Sequence, residues 1–183
     1  MIIKLLATRL AFPNLFEAQT VNGEGEPAFS AVFLIPKDDP QVITISKAIQ
    51  TVAKEKWGAK AEEHLAKMKA ADKTALHNGD LKSEYDGFQN MLFLSARNKT
   101  RPLVIDANKS LLNQADGKPY AGCYVNASVE LWAQDNKYGK RVNATLRGVQ
   151  FVRDGDAFAG GGAAKNDEFD DISTDVETVA DLW

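Results

Sequence analysis

The chain has 183 residues, 44% of them hydrophobic and 26% charged, the composition of a folded domain and not of a disordered or fibrous chain. No apolar run approaches the roughly 18 residues of a membrane span, and a single cysteine, Cys123, excludes an intrachain disulfide or a cysteine-built zinc site. The formal charge of −3 hides an asymmetry: residues 154–183 hold nine acids and one base, a net −8, which leaves 21 bases against 16 acids, a net +5, in residues 1–153.

In chain order, residues 5–16 read as a first strand, bent or ending near Pro13. Gly23 and Gly25 mark a turn, and residues 29–35 form a β-branched and aromatic second strand closed by Pro36. After Asp38-Asp39-Pro40, the stripe Ile45, Ile49, Val52, Ala53, Trp57 has helical spacing and stops at Gly58. Ala61, Leu65 and Met68 continue it in a shorter helix, so a helical insertion is expected over about residues 40–71, followed by a loop over 72–89. Residues 91–99 read as a third strand with a short extension at 103–105. Residues 122–132 and 141–152 read as two long strands joined by a polar hairpin. The fold class expected is mainly β: a five-stranded barrel with helix inserted between the second and third strands. Residues 1–153 form the domain, and 154–183 a glycine-rich flexible linker and disordered acidic tail.

Strand alternation sorts the side chains. Cys123, Val125, Ala127, Val129 and Leu131 share an inner face, while Tyr124 and Trp132 open and close the outer one. The competing reading of these two aromatics is that they cover a barrel end or pack under the helices. The next strand points Val142, Ala144 and Leu146 inward and Arg141 and Arg147 outward; the third strand sends Phe93, Arg97 and Lys99 outward, with Arg101 following. The hairpin adds Lys137, Tyr138 and Lys140, which could equally be a merely soluble turn. Aromatics interleaved with cations suit single-stranded nucleic acid, whose bases stack on flat rings while Lys and Arg meet the phosphates.

Four runs, RLAFPNLFE at 9–17, FSAVFLIPKD at 29–38, GCYVNASVELWAQDNKYG at 122–139 and LRGVQFVRDG at 146–155, resemble a family of tailed-phage single-stranded DNA-binding proteins. The resemblance covers nearly the whole chain and is weakest over 58–89. It implies an oligonucleotide-binding (OB) fold, sequence-independent binding of single strands, a role in phage replication, recombination or repair, and an acidic tail ending in an aromatic residue.

Within the tail, Asp170, Asp171, Asp175, Glu177, Asp181, Leu182 and Trp183 form a candidate partner-binding segment. As a polyanion it could compete with DNA for the basic body, and Leu182-Trp183 could anchor in a partner's basic, apolar pocket; the plainer alternative is a solubilising tail. No cofactor and no metal is expected. His64 and His77 read as structural or solvated, Asp38-Asp39 as a helix cap, and no phosphate loop or serine elbow occurs. The expectations are therefore a binding protein and not an enzyme, single-stranded DNA as ligand, replication or recombination proteins as tail partners, and at most weak self-association. The setting expected is a reducing cytoplasm, that of the host if the chain is phage-encoded, with no secretory signal since Lys4 and Arg9 interrupt the N-terminus. The alternative is a protein-interaction adaptor with an OB-like barrel and no nucleic-acid ligand.

Overall fold

In the computed structural model, residues 1–21, 23–158 and 169–170 are described. Nine elements follow in order: β1 (Ile2–Val21), β2 (Glu24–Pro36), α1 (Gln41–Trp57), α2 (Ala61–Ala70), β3 (Leu76–Asn78), β4 (Met91–Asn98), β5 (Leu103–Ile105), β6 (Tyr124–Asn136) and β7 (Gly139–Arg153). Five strands pair in the order β4-β2-β1-β6-β7, and a parallel contact of Arg97 with Thr145 joins β4 to β7. The result is a closed five-stranded barrel with the helices between its second and third strands, as expected. Closure removes the exposed edges that an open sheet of this size would leave.

Three expectations about the strands change. β1 is bent near Pro13, the first of the two readings given for it, and outruns the expected end at residue 16. It runs to Val21 because Pro13 sits in a bulge, between the pairs Ala11↔Val32 and Asn14↔Ser30, where no ladder N–H is required. A second irregularity, between Leu5 and Thr8, lies within the ladder that the same strand forms with β6 on its other edge, from Ile2↔Glu130 to Arg9↔Tyr124. The stretch 72–89 is not all loop: Leu76–Asn78 pairs with Leu92–Leu94 of β4. The β6–β7 hairpin is longer than expected, reaching the pair Asn136↔Gly139 with only Lys137 and Tyr138 in the turn. Asn136 Oδ1 accepts the Tyr138 N–H at 2.9 Å, and Gly139 takes φ +101°, which favours glycine.

The inner faces are the ones alternation assigned. Leu5, Leu10, Phe33, Leu94, Val125, Val129, Leu131 and Leu146 are fully buried in the barrel. Ile45, Ile49, Val52 and Ala53 of α1 and Leu65 and Met68 of α2 join the same core, so the helical stripe plugs the barrel and is not a separate unit. The N-cap of α1 is Pro40, not the Asp38-Asp39 pair expected to cap it, and Asp39 Oδ1 accepts the Gln41 N–H at 2.8 Å from the position before the cap.

The chain does not leave the barrel at Arg153. The Tyr120 hydroxyl donates to Asp154 at 2.7 Å, Arg9 Nη2 donates to the Asp156 carbonyl at 2.7 Å, and the Phe158 N–H reaches the Ala121 carbonyl at 3.0 Å. Gly122 and Gly155 permit this docking: a Cβ on Gly122 would lie 2.2 Å from the Asp156 oxygen, and one on Gly155 would lie 2.3 Å from the Gly122 oxygen. The folded unit thus extends to Phe158, five residues past the boundary expected at 153.

Cys123 is wholly buried, and that burial pushes its thiol up to about 11. At pH 8 only about one thiol in a thousand is then the reactive thiolate. Cys123 is expected to resist a thiol-specific colorimetric reagent in buffer and to react within seconds in denaturant. Rapid labelling of the native chain would mean that this end of β6 opens readily.

Candidate nucleic-acid interface

A groove of about 620 Å³ crosses the outer face of the barrel, between the β1–β2 hairpin and the β6–β7 hairpin. Gln19 and Thr20 form one wall. Trp132, Gln134 and Arg141 form the other, with Asn14, Ser30, Ser95 and Arg97 along the floor and Lys73 and His77 where the chain leaves the helices. None of its lining residues is acidic. Lys73, Arg97 and Arg141 form no ion pair among the described residues. An acid-free groove with three unpaired cations is a place where a polyanion gains Coulomb energy without displacing a resident partner.

Local pairing sets the geometry. Trp132 faces Asn143 across the hairpin, and its indole N–H donates to the Thr145 hydroxyl at 3.0 Å. That bond holds the ring against the outer surface while 44% of the residue stays exposed. Asn143 Nδ2 donates to Gln134 Oε1 at 2.9 Å in the next row. The hairpin is braced from the helices: the Trp57 indole N–H donates to Asp135 Oδ2 at 2.9 Å, and Lys140 approaches the same carboxylate at 3.3 Å. The Trp57 bond first, and Lys140 after it, hold the Asp135 carboxyl below its ordinary value. The brace is therefore at full strength at neutral pH and weakens as acid protonates Asp135.

The expected site residues fall into three groups. Trp132, Arg97 and Arg141 line the groove. Lys99, Lys137, Tyr138, Lys140 and Arg147 lie around it, more encumbered. Lys99 pairs with Glu26 in a concavity that shares Arg97 and Thr145 with the groove, Arg147 lies 3.4 Å from Glu130, and Lys137 lies 5.0 Å from the ring of Tyr138, which is 72% exposed. Exposed ion pairs of this kind stabilise little, so a phosphate could replace the carboxylate at little cost.

The third group stands outside the groove. Phe93 does point outward but is only 4% exposed, covered by Phe88 at 5.2 Å between ring centroids and stacked with His77 at 4.8 Å. Tyr124 lies outside the groove, eight residues or about 26 Å along β6 from Trp132. The Arg153 guanidinium sits 4.1 Å over its ring and Gly155 packs against its edge. Arg101 lies outside the groove too, over the Phe16 ring at 5.7 Å. Of the tail residues, Asp170 is exposed; Asp171, Asp175, Glu177, Asp181, Leu182 and Trp183 lie outside the described residues.

Alternation missed Asn14, Gln19, Lys73 and His77. Gln19 and Asn14 lie beyond or inside the bulge of β1, where period two fails. Lys73 is brought to the groove by two backbone bonds: its N–H donates to the Met68 carbonyl at 2.8 Å, and its carbonyl accepts the Val142 N–H at 3.2 Å. Among the described residues no group of three or more potential ligands could hold a metal ion, and no helix is long and apolar enough to cross a membrane.

Comparison with known proteins bears on this geometry. Residues 1–179 match the family described as the ssDNA-binding protein of Enterobacter phage Enc34. Protein p50 of Acyrthosiphon pisum secondary endosymbiont phage 1 is 53% identical over 174 residues, 93% of this chain and 94% of that protein. The solved structure of the single-stranded DNA-binding protein from bacteriophage Enc34 in complex with ssDNA superposes with a TM-score of 0.72 at 28% identity, covering 85% of this chain and 88% of the other. The bacteriophage T7 single-stranded DNA-binding protein gp2.5, at 16% identity and a TM-score of 0.58 over 83% of this chain and 91% of that one, shares the fold. The family is one of binding proteins and not of enzymes, and this chain belongs to it: the family of the phage Enc34 single-stranded DNA-binding protein.

Proposed function

We propose that this chain binds single-stranded DNA without sequence preference, across the outer face of the barrel, in phage DNA replication, recombination or repair. The observation that carries the proposal is the acid-free groove with Lys73, Arg97 and Arg141 unpaired and Trp132 half-exposed beside them. OB barrels take oligonucleotides on this face, between these two hairpins. Phosphate neutralisation and base stacking are both indifferent to base identity, which accounts for tolerance of sequence. The acidic tail is the second part of the proposal: it competes with DNA for the groove and, once released, offers Leu182-Trp183 to replication or recombination proteins.

Trp132 supplies the test. Oligo(dT) should quench the intrinsic fluorescence, and Trp132→Phe should remove most of that quenching, which separates Trp132 from Trp57 and Trp183. Trp132→Ala is expected to weaken binding by about 1–3 kcal/mol, the value of one stacked base. Wild-type fluorescence that ignores oligo(dT), or unaltered affinity in the alanine variant, would remove the indole from the DNA path.

A further inference from the structure

We infer that the single-strand site continues beyond the groove onto a second aromatic platform, formed by Phe12 and Tyr85, which takes a base of the same DNA strand. The inference rests on the binding reading above and extends it to residues that neither alternation nor the groove's lining identifies.

Phe12 and Tyr85 come from β1 and from the segment between β3 and β4, and their rings meet edge to face at 5.0 Å. Both also touch Phe88, at 5.8 and 5.9 Å. Phe88 is 1% exposed and finishes the small apolar cluster of Ala11, Leu34 and Phe93, yet Phe12 stays 48% and Tyr85 44% exposed. Two large rings thus hold flat surface in solvent that the cluster does not need for its own burial. Phe12 does so at a cost: its φ is +45°, a conformation a bulky non-glycine residue rarely adopts. Strain of that kind persists where the surrounding structure enforces it, and it is found preferentially at ligand sites.

The platform is continuous with the groove by two routes. Asn14, two residues along β1 from Phe12, lines the groove floor. His77 also lines it and stacks on Phe93, which contacts Phe88 and, through it, both platform rings. A strand leaving the groove past Asn14 and His77 would therefore meet aromatic surface next. Charge defines what the platform can recognise. Tyr85 lies between Glu84 and Asp86, and the cation nearest in chain, Lys82, sits 5.7 Å from the Phe93 ring. Acids flank the ring in the chain, Arg9 stands over Phe158 beside Gly87, and what the platform itself offers is flat ring surface on which a base can stack.

Two signatures follow. The platform adds affinity only for strands long enough to pass the groove, and its contribution leaves the salt dependence unchanged, unlike that of a lysine or arginine. The experiment compares wild type with Phe12→Leu/Tyr85→Leu, which keeps apolar cover over Phe88 but removes the flat rings. Oligo(dT) lengths run from about 4 to 16 nucleotides, the span of site sizes of a single OB barrel. The variant should match wild type on the shortest strands and bind the longest about 5- to 100-fold more weakly, with the same slope against salt. Photo-crosslinking of halogenated oligo(dT) to the wild-type chain should place adducts on Phe12 or Tyr85 for long strands only. Equal affinity at every length, an equal loss at every length, or crosslinks confined to the groove overturns the platform alone. A wild-type chain that binds no strand of any length overturns the binding reading, and the platform with it.

Discussion

Arg97→Ala combined with Arg141→Ala is expected to weaken oligo(dT) binding by about 30- to 700-fold at about 0.05 M salt. The figure takes about 1–2 kcal/mol for each guanidinium–phosphate contact, less than the roughly 1.5–3 kcal/mol of hydrogen bonds to charged groups because both side chains are exposed to solvent. The slope of log affinity against log salt should flatten by about 1.4, at about 0.7 per phosphate no longer neutralised on a single strand. Both side chains are exposed and neither forms an ion pair among the described residues, so the folded state has little to lose and thermal unfolding should stay near that of wild type. Lys140→Ala should do less, because Lys140 already approaches Asp135 and its removal takes away a shared cation. A double variant that keeps the wild-type slope would place the phosphates elsewhere, and the acid-free groove would then be an incidental feature of the barrel.

The sequence made the barrel legible because both of its periodicities are clean. Cys123 to Leu131 alternates without a break, and Ile45 to Met68 keeps one helical face across Gly58, so the five barrel strands and the inserted helices could be placed. The place of Arg97, Trp132 and Arg141 on the groove side followed from the same rule, since period two says which side of a strand a residue occupies. It does not say what lies on top of that side. Phe93 points outward as expected and is buried because Phe88 and His77 fold over it from the segment 76–88, a non-local event invisible in β4 itself. Nor does alternation say how far along a strand the groove extends. Tyr124 and Trp132 share a face, but the groove lies where β4 meets β7 at Arg97 and Thr145, and Tyr124 is at the other end. Lys73 was unreadable for a third reason: it belongs to no regular element and is placed by backbone bonds to Met68 of α2 and Val142 of β7.

Deleting residues 167–183 is expected to tighten oligo(dT) binding about tenfold at about 0.05 M salt, and the gain should vanish near 1 M. The deleted segment carries seven of the tail's acids. Phe158, the last described residue before those acids, is docked beside Gly87 and Leu34. The 25 residues beyond it have a contour of about 80 Å, enough to reach the groove from there. Tethering puts those acids at an effective concentration on the order of millimolar, against a groove whose three cations have no resident partner. A tail that fills the groove nine-tenths of the time lowers the apparent affinity for DNA about tenfold. At about 1 M salt the Debye length shrinks to about 3 Å and the competition fails. The groove reading and the tail reading constrain each other. If the tail occupies the same cations as the DNA, deleting it from the Arg97→Ala/Arg141→Ala chain should restore far less than tenfold, because the tail has lost its seat along with the DNA. A full tenfold gain in that background would mean that the tail acts through another surface, and unchanged or weaker binding after deletion from the wild type would end the competition idea altogether.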